Sequence, residues 1–124
     1  MATVAVIGAS KDRGKFGNKA VRAYRDAGWT VYPVNPREDE VEGIKAYKSV
    51  ADVPGTIDRA TLYLPPAVGV SVLEDVAAKG VGELWISPGS GSAELIGKAK
   101  ELGIVTIVDC SIVAIGKSPG EYGQ

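Results

Sequence analysis

Val4-Ala5-Val6-Ile7-Gly8-Ala9-Ser10, running on through a charged loop to Gly14 and Gly17, is the stretch that decides the fold of this 124-residue chain. A short apolar run stops at a glycine, and a helical pattern opens near Gly17. A helix entered from such a turn has unpartnered amides at the positive end of its dipole. That corner suits an anion, above all a phosphate. Gly8 lets the backbone turn sharply, and Gly17 lets the helix approach closely. Ser10, Lys11, Arg13 and Lys15 add hydroxyl and cationic donors. The spacing is not the dinucleotide fingerprint Gly-x-Gly-x-x-Gly, because Ser10 stands where the second glycine belongs. Nor does Gly-Lys-Ser/Thr follow, as a Walker loop requires. The plainer alternative is a glycine-rich turn whose charged tip serves solubility.

About thirty residues further on comes Val31-Tyr32-Pro33-Val34-Asn35-Pro36-Arg37. A strand end in this position selects the nucleotide. An NAD site places Asp or Glu there, about 20 residues after the glycines, to accept from the ribose 2'-hydroxyl. Here Asn35-Pro36 stands instead, and the acids Glu38-Asp39-Glu40 come later, as a solvated run. Arg37 can pair bidentately with a phosphate monoester. Two cofactors carry one on the adenosine ribose, NADP on the 2'-oxygen and coenzyme A on the 3'-oxygen. Pro36 keeps Asn35 extended and stiffens the ledge under an adenine. Taken alone, Arg37 is equally a surface residue after a turn.

The rest of the chain repeats one unit: helical stretch, glycine, short apolar strand. Gly28 precedes Thr30 to Val34, Gly80 precedes Glu83 to Ile86, and Gly103 precedes Ile104 to Val108. Basic residues Arg25, Lys79 and Lys100 fall in the last helical turns, where they complement the dipole. The expected strands are Val4 to Ile7, Val31 to Val34, Ala60 to Leu64, Leu84 to Ile86 and Ile104 to Val108. They are rich in Val and Ile and continuous rather than alternating, as in parallel sheets covered on both faces. Helical stripes follow at Val70, Leu73, Val76 and Ala77, and at Leu95, Ile96, Ala99 and Leu102. Glu38 to Pro54 reads as irregular, with a short strand near Ile44 and a helical turn near Ser49 to Val53. The expected fold is α/β: a Rossmann-like open parallel five-stranded sheet in the order 3-2-1-4-5, with helices on both faces. A ligand crevice is expected between the first and fourth strands, at their carboxyl ends. Residues 1–124 are expected to form one domain, with 118–124 a frayed tail.

Composition narrows the function classes. The chain is long enough to bury roughly two-thirds of its unfolded surface. It is 45% hydrophobic and 23% charged with net charge -1, so it carries no basic footprint for nucleic acid or anionic lipid. No apolar run approaches the roughly 18 residues that span a bilayer, and Met1-Ala2-Thr3-Val4 leads straight into a strand, so the cytoplasm is the expected location. Cys110 is the single cysteine, which fits a reducing compartment. There is no histidine, which removes the commonest general base, zinc ligand and phosphohistidine site. Cys110 therefore has no imidazole partner and reads as a partly buried, inert thiol. Trp29, Trp85, Tyr32 and Tyr63 read as core. No acid pair has a spacing that demands acid–base work, so no catalytic residue and no metal ligand is assigned.

Two further loops face the crevice. Pro65-Pro66 begins a helix, where proline costs no hydrogen bond, and makes a rigid apolar wall after Leu64. Ser87-Pro88-Gly89-Ser90-Gly91 follows the fourth strand and forms the other lip, with Ser90 or Ser92 as a helix cap.

The strings Gly8-Ala9-Ser10, Lys15-Phe16-Gly17-Asn18 and Val31-Tyr32-Pro33-Val34-Asn35-Pro36 resemble those of the small CoA-binding-domain proteins, which are similar to the amino-terminal domain of the succinyl-CoA synthetase alpha subunit. The resemblance runs from Ala2 to about Asp109, and Leu64-Pro65-Pro66 and Trp85-Ile86-Ser87-Pro88-Gly89 belong to it. It implies coenzyme A, with phosphates on the glycine loop, adenosine flanked by Val34 to Arg37, and pantetheine passing Ser87 to Gly89. The synthetase's phosphohistidine and second domain have no counterpart here. Small family members often carry Asp-x-Cys after the last strand, whereas this chain has Asp109-Cys110-Ser111.

The expected function is non-catalytic binding of coenzyme A or acyl-CoA by Gly8, Ala9, Ser10, Lys11, Arg13, Lys15, Phe16, Gly17, Asn18, Val34, Asn35, Pro36, Arg37, Leu64, Pro65, Pro66, Ser87, Pro88 and Gly89. A homodimer or a partner protein is compatible with this. The alternatives are the NADP-binding domain of an oxidoreductase, motivated by the same Arg37, and an interaction protein with an empty crevice.

Overall fold

The computed structural model describes residues 2–123. In chain order these form β1 (Thr3–Ile7), α1 (Phe16–Asp26), β2 (Thr30–Val34), β3 (Glu40–Val41), β4 (Ile44–Lys45), β5 (Arg59–Leu62), α2 (Pro66–Lys79), β6 (Glu83–Ile86), α3 (Ala93–Glu101), β7 (Thr106–Val108) and α4 (Ser111–Ala114). The main sheet has five parallel strands with helices on both faces, the α/β architecture expected from the alternation of strand and helix. The small strand near Ile44 and the turn near Ser49 are also present, as β4 and as a 3-10 turn at Val50–Asp52.

β1 shows why its residues are continuously apolar. Val4 and Val6 enter one buried cluster with Ala20, Val21 and Tyr24 of α1. Ala5 and Ile7 enter another with Leu73 and Val76 of α2 and Leu95 of α3. Side chains alternate across a strand, so a strand covered on both faces must be apolar at every position.

The strand order departs from the expected 3-2-1-4-5. The observed order is β2-β1-β5-β6-β7, so the third long strand pairs with the first rather than lying beyond the second. The outer edge of β2 is already closed: Tyr47 N donates to Pro33 O at 2.9 Å, and Asn35 N donates to Tyr47 O at 2.9 Å. Pro33 has no N–H to offer a neighbour there, and proline within a sheet belongs to an edge strand. The segment after β2 wraps round this edge. It buries Val41 and Ala46 on the α1 face, then Val50 and Val53 on the α2 face. The order therefore reverses between β1 and β5, and the crevice lies there rather than between the first and fourth strands.

The tail also departs from expectation. Ser118 caps a 3-10 turn at Pro119–Glu121, with a reciprocal bond from its own amide to Glu121 Oε1 at 2.9 Å. Tyr122 is buried and its hydroxyl donates to Asp26 Oδ2 at 2.9 Å. Arg22 Nη1 donates to Gly123 O at 3.0 Å. The apolar ring of Tyr122 docks the segment against α1, which outweighs its glycine and proline content. Gln124 lies outside the described residues.

At the amino-terminal edge of the sheet, Trp29 and Trp85 are half-buried rather than core. They flank the Arg59 guanidinium, with ring centroids 5.0 and 4.6 Å away, and Glu83 pairs with Arg59 at 2.7 Å. No helix among the described residues is long and apolar enough to cross a membrane.

Candidate functional site

Two cavities open where β1, β5 and β6 end. One, of about 670 Å³, lies between the start of α1, the Tyr63–Pro66 turn and the Ser87–Ser90 loop, and reaches Cys110. The other, of about 530 Å³, lies between Ile7–Ser10, Val34–Pro36, Lys48–Val50 and the Val68–Asp75 face of α2. Gly8, Lys15, Tyr63, Leu64 and Pro65 line both, so the glycine turn stands between the two chambers.

The turn is held by its own backbone. Gly8 has φ 93°, and its amide and that of Ala9 both donate to Val34 O, at 3.1 and 3.2 Å. Those two amides are thus spent on the end of β2. The amides of Ser10, Phe16 and Gly17 find no acceptor among the described residues. Lys15 leads into α1 without a side-chain cap, and the first turn carries no acid. At α3, by contrast, Ser92 Oγ accepts from Leu95 N at 3.1 Å. The uncompensated start of α1 at the junction of the chambers stabilises an anion placed there.

The loop's cations divide. Lys15 faces both chambers. Lys11 is turned to Glu38, 3.1 Å away, whose carboxylate raises the lysine above its ordinary value through a hydrogen bond and charge attraction. Arg13 lies 3.7 Å from Glu42. Lys11 and Arg13 therefore line neither cavity. Asn18 is fully buried: its Nδ2 donates to Ser10 O at 2.9 Å and Glu42 Oε2 at 3.0 Å, and its Oδ1 accepts from Arg22 Nε at 2.7 Å. It supports the loop from behind. Arg22 completes the support by donating to Arg13 O at 2.9 Å.

The Asn35-Pro36 ledge is tied to the same loop. Asn35 Nδ2 donates to Ala9 O at 2.8 Å, and its Oδ1 accepts from Arg37 N at 2.8 Å. Ala9, Ser10, Val34, Asn35 and Pro36 line the smaller chamber, while Phe16, Gly17, Pro66, Ser87, Pro88 and Gly89 line the larger. Arg37 is exposed and lines neither.

Sequence reasoning missed Lys48 and Tyr63. Lys48 lines the smaller chamber and its Nζ lies 3.4 Å from Pro36 O. Only the pairing of Tyr47 with β2 brings it there, and nothing local in the irregular segment signals that pairing. Tyr63 lines both chambers, with its hydroxyl 3.4 Å from Ser111 Oγ. It follows β5 directly, so its position at a strand's carboxyl end was the available signal.

An open parallel sheet with an uncapped helix end at the reversal of its strand order is a Rossmann-like α/β domain. Residues 2–116 match the family model of the CoA binding domain, and the chain belongs to that family. It is 44% identical over 104 residues to an ADP-forming acetate–CoA ligase of Methanocaldococcus jannaschii, covering 81% of this chain and 15% of the ligase. It is 42% identical over 106 residues to the alpha subunit of ADP-forming acetate–CoA ligase II of Pyrococcus furiosus, covering 84% of this chain and 23% of the subunit. The chain thus spans less than a quarter of the length of these curated relatives. A conserved hypothetical protein of Pyrococcus furiosus has the same fold along nearly its whole length: TM-score 0.84 at 33% identity, covering 92% of this chain and 99% of that one. The family expected from the glycine loop and the Tyr-Pro-Val-Asn-Pro segment is the one found. The NADP alternative gains no support from these relatives.

Proposed function

We propose that this chain binds coenzyme A or an acyl derivative across both chambers and catalyses no reaction of its own. The pyrophosphate sits at the Ser10, Phe16 and Gly17 amides, the adenosine in the smaller chamber, and pantetheine in the larger. The observation that carries this is the uncapped start of α1 between two chambers. A nucleotide joined through a pyrophosphate to a long arm has that shape. The missing histidine, the commonest general base, supports binding without catalysis. The Pyrococcus furiosus relative is a subunit of a ligase, so a second polypeptide that supplies catalysis is the corresponding proposal here. We place the chain in the cytoplasm, where its cofactor is made and used.

We assign the adenosine 3'-phosphate to the cations beside Pro36. Arg37 follows it in sequence, and Lys48 lies against its carbonyl and inside the chamber. A charge-assisted hydrogen bond contributes about 1.5–3 kcal/mol, less where solvent screens it. By calorimetry, coenzyme A should bind about tenfold more tightly than dephospho-CoA. Lys48→Ala and Arg37→Ala together should close that gap. Equal affinities in the wild type would remove both cations from the site. Failure of coenzyme A to bind at millimolar concentration would sink the functional assignment itself.

A further inference from the structure

The larger chamber holds two side chains, Ser87 and Cys110, whose polar atoms face the arm placed there. Ser87 is only 5% exposed, and its Oγ finds no hydrogen-bond partner among the described residues. A buried hydroxyl left so forfeits its hydration with nothing in return, and native structures retain few of them. It marks a place for a polar group of a ligand. Cys110 lines the same chamber from beyond the end of β7. If coenzyme A lies as proposed above, the arm in this chamber is pantetheine, which carries amides along its length and a thiol at its tip. The amides suit Ser87, and the tip brings sulfur to the cavity that Cys110 lines.

We propose, resting on that reading, that Cys110, which reads as inert for want of an imidazole partner, exchanges with coenzyme A disulfide to form a protein–CoA mixed disulfide, its rate coming from proximity to the bound sulfur rather than from an activating base. One half of the disulfide occupies the chambers, and the other half remains in solvent. The Cys110 thiolate attacks the sulfur of the bound half. The CoA S–S bond breaks as the Cys110–CoA S–S bond forms, and the departing CoA thiolate takes up the proton that Cys110 gave up. Disulfide is exchanged for disulfide, so no further oxidant enters. The chain is thereby closed covalently by oxidised cofactor and reopened by thiol reductant. It reports the redox state of the coenzyme A pool.

The test has two arms. Calorimetry of wild-type protein with reduced coenzyme A, in the presence of reductant, examines the binding reading alone. Intact-mass spectrometry after removal of reductant then compares coenzyme A disulfide with pantethine, the disulfide that lacks the nucleotide. Binding raises the local concentration of the reacting sulfur to roughly the millimolar range. At micromolar reagent, coenzyme A disulfide should therefore modify the chain about a hundredfold faster or more. One CoA should be added per chain, none in Cys110→Ser, and dithiothreitol should remove it. Normal binding of reduced coenzyme A together with no adduct overturns the inference and leaves the binding reading intact. An adduct formed no faster than with pantethine overturns it too. Absence of binding in the first arm overturns both.

Discussion

Gly17→Val should abolish coenzyme A binding and lower the thermal midpoint by ten degrees or more. A Cβ on Gly17 would overlap the carbonyl oxygen of Gly8, and it would stand 3.3 Å from Ala9 Cα. Both neighbours are backbone, so no side chain can swing aside. α1 must retreat from β1, and the amides of Phe16 and Gly17 retreat with it. Overpacking a tight site costs about 1–3 kcal/mol, and branched valine at the start of a helix pushes the figure to the upper end. In a domain of this length each kcal/mol moves the midpoint by about 3–5 °C. Gly28→Ala is the control. Gly28 has φ 87° but meets nothing within 4 Å, so alanine there should cost about 1 kcal/mol through strain and leave affinity unchanged. Thermal denaturation and calorimetry on the two variants separate the effects. A Gly17→Val protein with wild-type midpoint and affinity would show that the turn and the helix are not pressed together.

Arg22→Ala should cost about 3 kcal/mol of stability and free the carboxyl-terminal segment. Arg22 is 6% exposed and its hydrogen-bond partners are neutral: Asn18 Oδ1 and the carbonyls of Arg13, Tyr122 and Gly123. It also lies over the Tyr122 ring, 5.5 Å from the centroid. One fork thus joins α1, the glycine loop and the tail. Hydrogen bonds from a charged group contribute about 1.5–3 kcal/mol each, and truncation strands the acceptors. Urea denaturation should show the loss. Limited proteolysis should cut near Ser118 in the variant well before the wild type. Arg22→Lys should recover only part of the stability, because an ammonium cannot reproduce the planar fork. Unchanged stability in Arg22→Ala would mean that the loop and tail hold themselves.

Local pattern carried most of the fold. Continuous Val and Ile runs marked strands covered on both faces, and the run from Val4 to Ile7 led into the phosphate turn as expected. Strand order is a long-range property, and the one local clue to it was Pro33. A proline inside Val31–Val34 says that β2 is an edge strand, which excludes a third strand beyond it. At the site, positions on strand ends were legible because topology alone puts them at the crevice: Gly8, Val34, Leu64 and Ser87. The orientation of long side chains was not. Lys11 and Arg13 turn to Glu38 and Glu42: the first belongs to a run that reads as solvated, and nothing in the local sequence marks the second as a partner. Tyr122 was masked by its neighbours, because glycine and proline counts say nothing about one ring finding a groove.

The clasp of Arg59 by Trp29 and Trp85 sits at the rim of the sheet away from both chambers, and neither indole lines them. Intrinsic tryptophan emission will accordingly follow denaturation of the sheet while staying nearly blind to occupancy. A fluorescence titration that stays flat says nothing against an occupant, and optical melting curves can be compared between empty and loaded protein without inner-site quenching.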